Sequence, residues 1–375
     1  MAATTSTTRR IPAQRYDFSD EDIELIQRDV GSLLRARSFL TMGERCEAFE
    51  ERYARATGCA HAVAVSSGTA ALEIILRVIG VSGGQVVVPT NTFAATAFAV
   101  LHAGATPVFA DCADDLVLDP DDLEGRLTSA TRAVIVVHVG GLVSPSVRRI
   151  QELCRQRGLP LVEDAAHAHG STLDGLCAGT FGAAAAFSFF STKVMTTGEG
   201  GMITTDDADI CSRARTLRDQ AKVQGHNLHE LVGSNWRMGE LPAILGLVQL
   251  ARLQEFIRER QRVARIYDDA FRQSNRLRPL AVPAASQPNY YKYVLFTDGD
   301  VPAMAAALAS RWGVRLGGNV YDVPCHEQPV FADLARGPLP TAEHLCRHHI
   351  CPPIYPSLSD GDARHIARAL LEVAS

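Results

Sequence analysis

Only three of the 37 basic residues in this 375-residue chain are lysines, namely Lys193, Lys222 and Lys292, so any chemistry that needs an amine has three candidates. Lys193 stands in AFSFFSTKVMTTGEGGMITT, five residues after Ser188, past an apolar run and before a glycine-rich turn that permits close backbone approach. Such a setting suits a lysine that condenses with a carbonyl; the alternative is a surface lysine before a turn, in a chain that otherwise favours arginine. A second candidate is Glu163-Asp164, which closes the apolar run LPLVED. A carboxylate at the end of a buried strand needs a cation or hydrogen-bond donors, unless it is a loop acid facing water. The third is VAVSSGTAAL, where a strand stops at Ser66-Ser67-Gly68-Thr69 and a helix begins at once. Free N–H groups and a helix N-terminus converge there beside the Thr69 hydroxyl, which suits a phosphate, although Ser and Thr serve equally as helix caps. Together, a phosphate cradle, a carboxylate able to pair with a pyridinium nitrogen and an aldehyde-condensing lysine are what pyridoxal phosphate requires.

These residues need a scaffold, and the sequence describes one. Between residue 61 and about residue 205, the runs AVAV, QVVVP, TPVFA, RAVIVVHV, LPLVED, AAAFSFF and GGMITT alternate with helical spacing, as in TAALEIILRVI and SVRRIQELCRQRG. Apolar strands separated by helices predict an α/β fold with a mostly parallel seven-stranded sheet covered on both faces, and a ligand site beyond the strands' carboxyl ends. A long helix is predicted over 239–273, then a strand in YYKYVLF, a helix in PAMAAALASRW and a closing helix in DARHIARALLEV. The expected organisation is a disordered arm over 1–15, a large domain over 16–250 and a smaller α+β C-terminal domain over 251–375. An N-terminal helix of the large domain could pack on the small one.

The bulk composition narrows the function. A formal charge of −5 offers no footprint for nucleic acid or anionic membrane, and 46% hydrophobic with 21% charged residues is ordinary for a soluble protein. Apolar stretches break well before the ~20 residues that a membrane helix needs. Nine cysteines form no C-x-x-C pair and no secretory signal is apparent, which predicts free thiols in the cytoplasm. His348-His349-Cys351 is a poor zinc set and HEQPV is not H-E-x-x-H, so no metal is assigned.

Over about residues 38–370 the chain resembles the DegT/DnrJ/StrS-type sugar aminotransferases, pyridoxal-phosphate enzymes of fold type I. The motifs that carry the resemblance are FLTMGERCEAFEERYARATG, VSSGTAAL, VPTNTFAATAFAVLHAGATPVFAD, VEDAAHAHG, GTFGAAAAFSFFSTKVMTTGEGG and GSNWRMGELPAILGLVQL. The resemblance implies that Lys193 condenses with the cofactor, Asp164 pairs with its ring nitrogen, Phe93 stacks on the ring, and Gly68, Thr69 and Ser188 hold the phosphate. Asn235 is implied to reach the phosphate of a neighbouring subunit, giving a homodimer with shared active sites. Arg237 and His326 are implied to contact a sugar nucleotide, with a structural loop role equally open for His326. Two positions depart from the pattern: His167 and Pro242 stand where glutamine is common in relatives. His167 is expected to tune the cofactor, with a charge that varies around neutral pH.

The implied activity is transfer of an amino group from glutamate or glutamine to a keto-sugar nucleotide, most simply a dTDP- or UDP-linked 4-keto-6-deoxy sugar, in amino-sugar and antibiotic biosynthesis. Alternatives are a cyclitol ketone or an aromatic-amine precursor as acceptor, and a catalytically silent binding protein. Another branch of the family dehydrates sugars with histidine in place of the lysine, and Lys193 speaks against it. Lys222 and Lys292, which lack a cradle and a strand-end carboxylate in sequence, are expected to be replaceable by arginine without loss of cofactor.

Overall fold

Short Val-, Ile- and Ala-rich runs form the central strands of the computed structural model, which describes residues 10–223, 227–229, 231–334 and 337–374. They are β1 (His61–Val65), β2 (Gln85–Pro89), β3 (Thr106–Ala110), β4 (Thr131–Val137), β5 (Leu161–Asp164), β6 (Ala184–Ser188) and β7 (Gly201–Thr205). Their order across the sheet is β1-β7-β6-β5-β4-β2-β3, and only β7 runs antiparallel to its neighbours. Alternate residues enter two different cores: Val63, Val88 and Ile135 pack on one face, Ala64, Val87 and Val136 on the other. The mostly parallel α/β sheet expected from the strand runs is therefore present.

The helices are α1 (Asp20–Ala36), α2 (Glu44–Thr57), α3 (Gly68–Ile79), α4 (Ala94–His102), α5 (Pro120–Arg126), α6 (Ser146–Arg157), α7 (Ala208–Arg218), α8 (Glu240–Phe271), α9 (Val301–Ala307), α10 (Pro340–Arg347) and α11 (Asp360–Val373). Glu240, the first residue of α8, accepts hydrogen bonds from the N–H groups of Gly43, Arg45 and Cys46 and so caps α2 from a distant part of the chain. Gly246 then lets α8 seat directly on α2, since a Cβ there would lie 2.6 Å from the Phe49 ring. The helix continues unbroken past residue 250. Its second half joins α11 and a small antiparallel sheet of β8 (Leu277–Pro279), β9 (Leu295–Thr297) and β10 (His349–Ile350) around Tyr267, Phe271, Leu308 and Ile366. Three further short strands, Thr172–Leu173, Leu176–Cys177 and Ser286–Gln287, make a second small sheet. The helix α1 rests on α8 through an Asp22–Arg252 ion pair at 2.5 Å.

Two expectations change. Of the arm expected to be disordered over 1–15, residues 1–9 lie outside the described residues, whereas residues 10–15 are held in place. Ile11 is buried, its N–H donates to the Gly313 carbonyl, and its own carbonyl accepts from Arg315. The strand expected over YYKYVLF is confined to β9, because the backbone before it turns out of the ladder, with Tyr290 at φ +50°. No described helix is long and apolar enough to cross a membrane.

Candidate active site

Because a parallel strand ends where its helix connection begins, residues closing β5 and β6 sit side by side at one edge of the sheet. Asp164 pairs in register with Val137 of β4 and Ala186 of β6, and Ser188 ends β6 two residues later. The side chains of Glu163 and Asp164 then diverge, as successive strand residues must. Glu163 is fully buried and accepts from Gly179, Phe181 and Gly182 N–H groups and pairs with His138. Asp164 instead lines a cavity of about 400 Å³ together with Gly68, Thr69, Phe93, His167, Ser188 and Lys193. Its Oδ2 accepts from the Thr96 hydroxyl at 2.8 Å and its Oδ1 from Ala166 N–H at 3.2 Å. Burial raises the Asp164 pKa, and these two bonds and the Lys193 charge oppose the rise.

The cradle is tight by construction. Ser67 caps α3 by accepting from Ala70 N–H, and a Cβ on Gly68 would lie 2.9 Å from Ser188 Cβ, so glycine is required where α3 meets the end of β6. Lys193 follows in the turn after β6. Burial pushes its pKa down to about 8, with the Asp164 charge acting the other way and Lys292 reinforcing the fall. Its Nζ lies 4.9 Å from the centroid of the Tyr291 ring.

The opposite wall comes from the C-terminal part of the chain, and the motifs did not reveal it. Tyr291, Lys292, Asn319, Val320 and Tyr321 all line the cavity, as does Thr96 on the sheet side. Buried Asn289 ties this wall to the loop after β5: its side-chain amide donates to the carbonyls of His167 and His169, both at 2.9 Å, and its carbonyl accepts from Tyr291 N–H. His167 is sandwiched between Tyr291, with centroids 4.2 Å apart, and Tyr321, at 6.0 Å. The rarity of lysine in the sequence was the one signal pointing to Lys292.

Other candidates fall outside the cavity. His326 is buried with Nδ1 beside the Thr90 hydroxyl at 2.8 Å and Nε2 beside Glu343 at 3.1 Å, so both ring nitrogens join α10 to the end of β2. Arg237 pairs with Asp219, and exposed Asn235 bridges Asp219 in backbone pairing; neither lines the cavity. Lys222 is exposed.

Comparison with known proteins identifies the family. Residues 20–371 match the model of the DegT/DnrJ/EryC1/StrS aminotransferase family. The chain belongs to that family. It is 34% identical over 344 residues to the dTDP-3-amino-3,4,6-trideoxy-alpha-D-glucose transaminase of Micromonospora megalomicea subsp. nigra, covering 90% of this chain and 92% of that one. It is 32% identical to the GDP-perosamine synthase of Caulobacter vibrioides, covering 97% of each. Among solved structures, the PLP form of Spr1654 from Streptococcus pneumoniae superposes with a TM-score of 0.90 at 26% identity, covering 98% of this chain and 99% of that one.

The residues of this aminotransferase fit pyridoxal phosphate on their own chemistry. They supply an amine with lowered pKa, a buried carboxylate, hydroxyls of Ser67, Thr69 and Ser188 at a helix N-terminus, and a buried His167 Nδ1 that has no protein partner. The expectation for His167 needs correction. Burial, with the charges of Lys193 and Lys292, holds its pKa well below the usual histidine range, so its ring stays neutral around pH 7.

Proposed function

We propose that this aminotransferase moves an amino group from glutamate or glutamine to the ketone of a nucleotide-linked sugar, with pyridoxal phosphate held above β5 and β6. The observation that carries the reading is the convergence of Lys193, Asp164 and the Gly68–Ser188 cradle in one cavity, whose ~400 Å³ suits a small-molecule site. Bound there, the cofactor supplies an aldehyde for amine exchange and a ring that accepts electrons. Asp164 holds a proton on the ring nitrogen. Lys193 Nζ, part-neutral near pH 7, takes a proton from the donor's Cα and returns it to the product side. Tyr291, His167 and Tyr321 form a ring-lined wall that keeps water from the reacting carbon.

A dTDP- or UDP-linked 4-keto-6-deoxy sugar is the proposed acceptor. Relatives named for dTDP- and GDP-linked amino sugars support the class. The proposed assembly is a homodimer with shared sites. In support, Phe39, Leu231 and Val232 are 87%, 63% and 83% exposed, and nearby Asn235 does not face its own chain's cavity. The nine free cysteines suit the cytoplasm, which is the proposed location. The test is to load the enzyme with amine, add a panel of keto-sugar nucleotides and cyclitol ketones, and follow return of the cofactor's visible band. A 4-keto sugar nucleotide should restore it. Conversion of a cyclitol ketone alone would overturn the acceptor, and a purified protein that takes up no pyridoxal phosphate would overturn the enzyme.

A further inference from the structure

The cavity contains a second amine that the cofactor does not need. Lys292 lies 5.5 Å from the Tyr291 centroid, on the ring that Lys193 also approaches, so the two ammonium groups share one aromatic wall. Its Nζ donates to the Gly317 carbonyl at 2.5 Å. An ammonium has three N–H donors, and no carboxylate lies within ion-pair distance of this one among the described residues. Among the described residues that carbonyl is the one polar partner of this partly buried cation, an unfavourable setting unless an anion joins it. Burial accordingly lowers the Lys292 pKa.

The placement is built. Lys292 N–H donates to the Gly140 carbonyl, Tyr291 N–H is fixed by Asn289, and the buried Arg260 guanidinium holds the carbonyls of Tyr290 and Ile354 at 3.2 and 2.8 Å. The backbone before β9 leaves its ladder here, and the side chains of Tyr291 and Lys292 line the cavity. Of the cationic or titratable-base side chains lining the cavity, Lys193 is committed to the cofactor and His167 is held neutral. Lys292 is the remaining cation.

We infer that Lys292 is the anion anchor of the substrate site and takes the α-carboxylate of the amino donor. The inference rests on the aminotransferase reading above and deepens it. An amino acid carries its carboxylate on the same carbon as its amine, so a carboxylate anchor belongs close to the amine-exchanging lysine. The phosphates of a sugar nucleotide hang from the anomeric carbon, on the far side of the sugar ring from a C4 ketone. Lys292 shares the Tyr291 ring with Lys193, which favours the carboxylate.

The test uses the holoenzyme and two non-reacting probes, maleate for the carboxylate and dTDP for the nucleotide phosphate, titrated by calorimetry. Lys292→Met should weaken maleate at least tenfold, Lys292→Arg should restore it to within threefold, and dTDP affinity should stay within threefold in both. Circular dichroism and the visible cofactor band report that each variant is folded and loaded. Unchanged maleate affinity in a loaded Lys292→Met enzyme overturns the inference. Loss of dTDP affinity alone also overturns it, by assigning the lysine to the sugar nucleotide. Failure of the underlying reading shows differently, in a wild-type protein that neither takes up pyridoxal phosphate nor binds maleate, and it overturns both.

Discussion

One wall of the cavity is the carboxyl edge of a parallel sheet, where Asp164 ends β5, Ser188 ends β6 and Lys193 follows in the next turn; the other is irregular backbone carrying Tyr291, Lys292 and Tyr321. The first wall is positioned by strand ladders whose residues are buried on both faces. The second hangs on a few side-chain bonds to backbone, those of Asn289 and Arg260 above all. The difference separates the tasks. On the proposed function, the groups assigned to the cofactor stand on the rigid sheet edge, and the groups assigned to the substrate stand on the segment that the sheet does not constrain.

The sharpest way to break the sheet wall is Lys193→Ala. Amine transfer should fall by at least about 10⁴-fold, the upper end of what proton transfer alone contributes, since the condensing amine goes with it. The purified variant should lack the borohydride-sensitive absorbance band. Next comes Asp164→Asn, which keeps the shape and the Thr96 contact but removes the charge proposed to face the ring nitrogen. A fall of about 10²–10³-fold in turnover is expected, with the protein still folded. Its neighbour supplies the control: Glu163→Gln strips charge from a group that serves Gly179, Phe181, Gly182 and His138, so it should lower melting temperature rather than act on the cofactor.

A pH profile tests the electrostatics of the same wall. Burial lowers the Lys193 pKa from its ordinary 10.5 to about 8, and only the neutral amine condenses with an aldehyde. The sign follows from that: neutral amine is gained as pH rises, and the lowered pKa brings the gain down in pH. Stopped-flow uptake of pyridoxal phosphate by the cofactor-free protein should rise about tenfold per unit at low pH and level off near pH 8. A rise continuing past pH 10 would mean that the lysine is not buried as described.

How much of this was legible follows the same division. Strand runs, the SSGT turn and the ED and STK motifs are local, and a local pattern that ends a buried strand predicts both the sheet and the groups at its edge. YYKYVLF reads as a strand because its composition is that of one, yet only its last residues enter β9. Asn289 overrides the pattern through bonds to carbonyls more than a hundred residues earlier, which no periodicity in the sequence records. His326 shows the opposite limit, since the sequence left a substrate contact and a structural loop role equally open. Its loop was visible, but Thr90 and Glu343, which occupy both ring nitrogens, come from β2's end and from α10.

Asn289→Ala therefore tests the second wall with the smallest expected effect and the most selective one. The substitution strands the carbonyls of His167 and His169 and the N–H of Tyr291, three buried groups. Unsatisfied buried groups cost about 1–3 kcal/mol each, but the loop carrying Tyr291 and Lys292 can shift to reach water, so a stability loss near the lower end for three groups, about 3 kcal/mol, is expected. Because Lys193, Asp164 and the cradle stand on the sheet, cofactor affinity and the visible band should stay near wild type. KM for the amino donor should instead rise, by about tenfold or more, as Lys292 loses its fixed place. Loss of cofactor together with donor affinity would show that the two walls act as one unit, and the division of labour between sheet and loop would then fail.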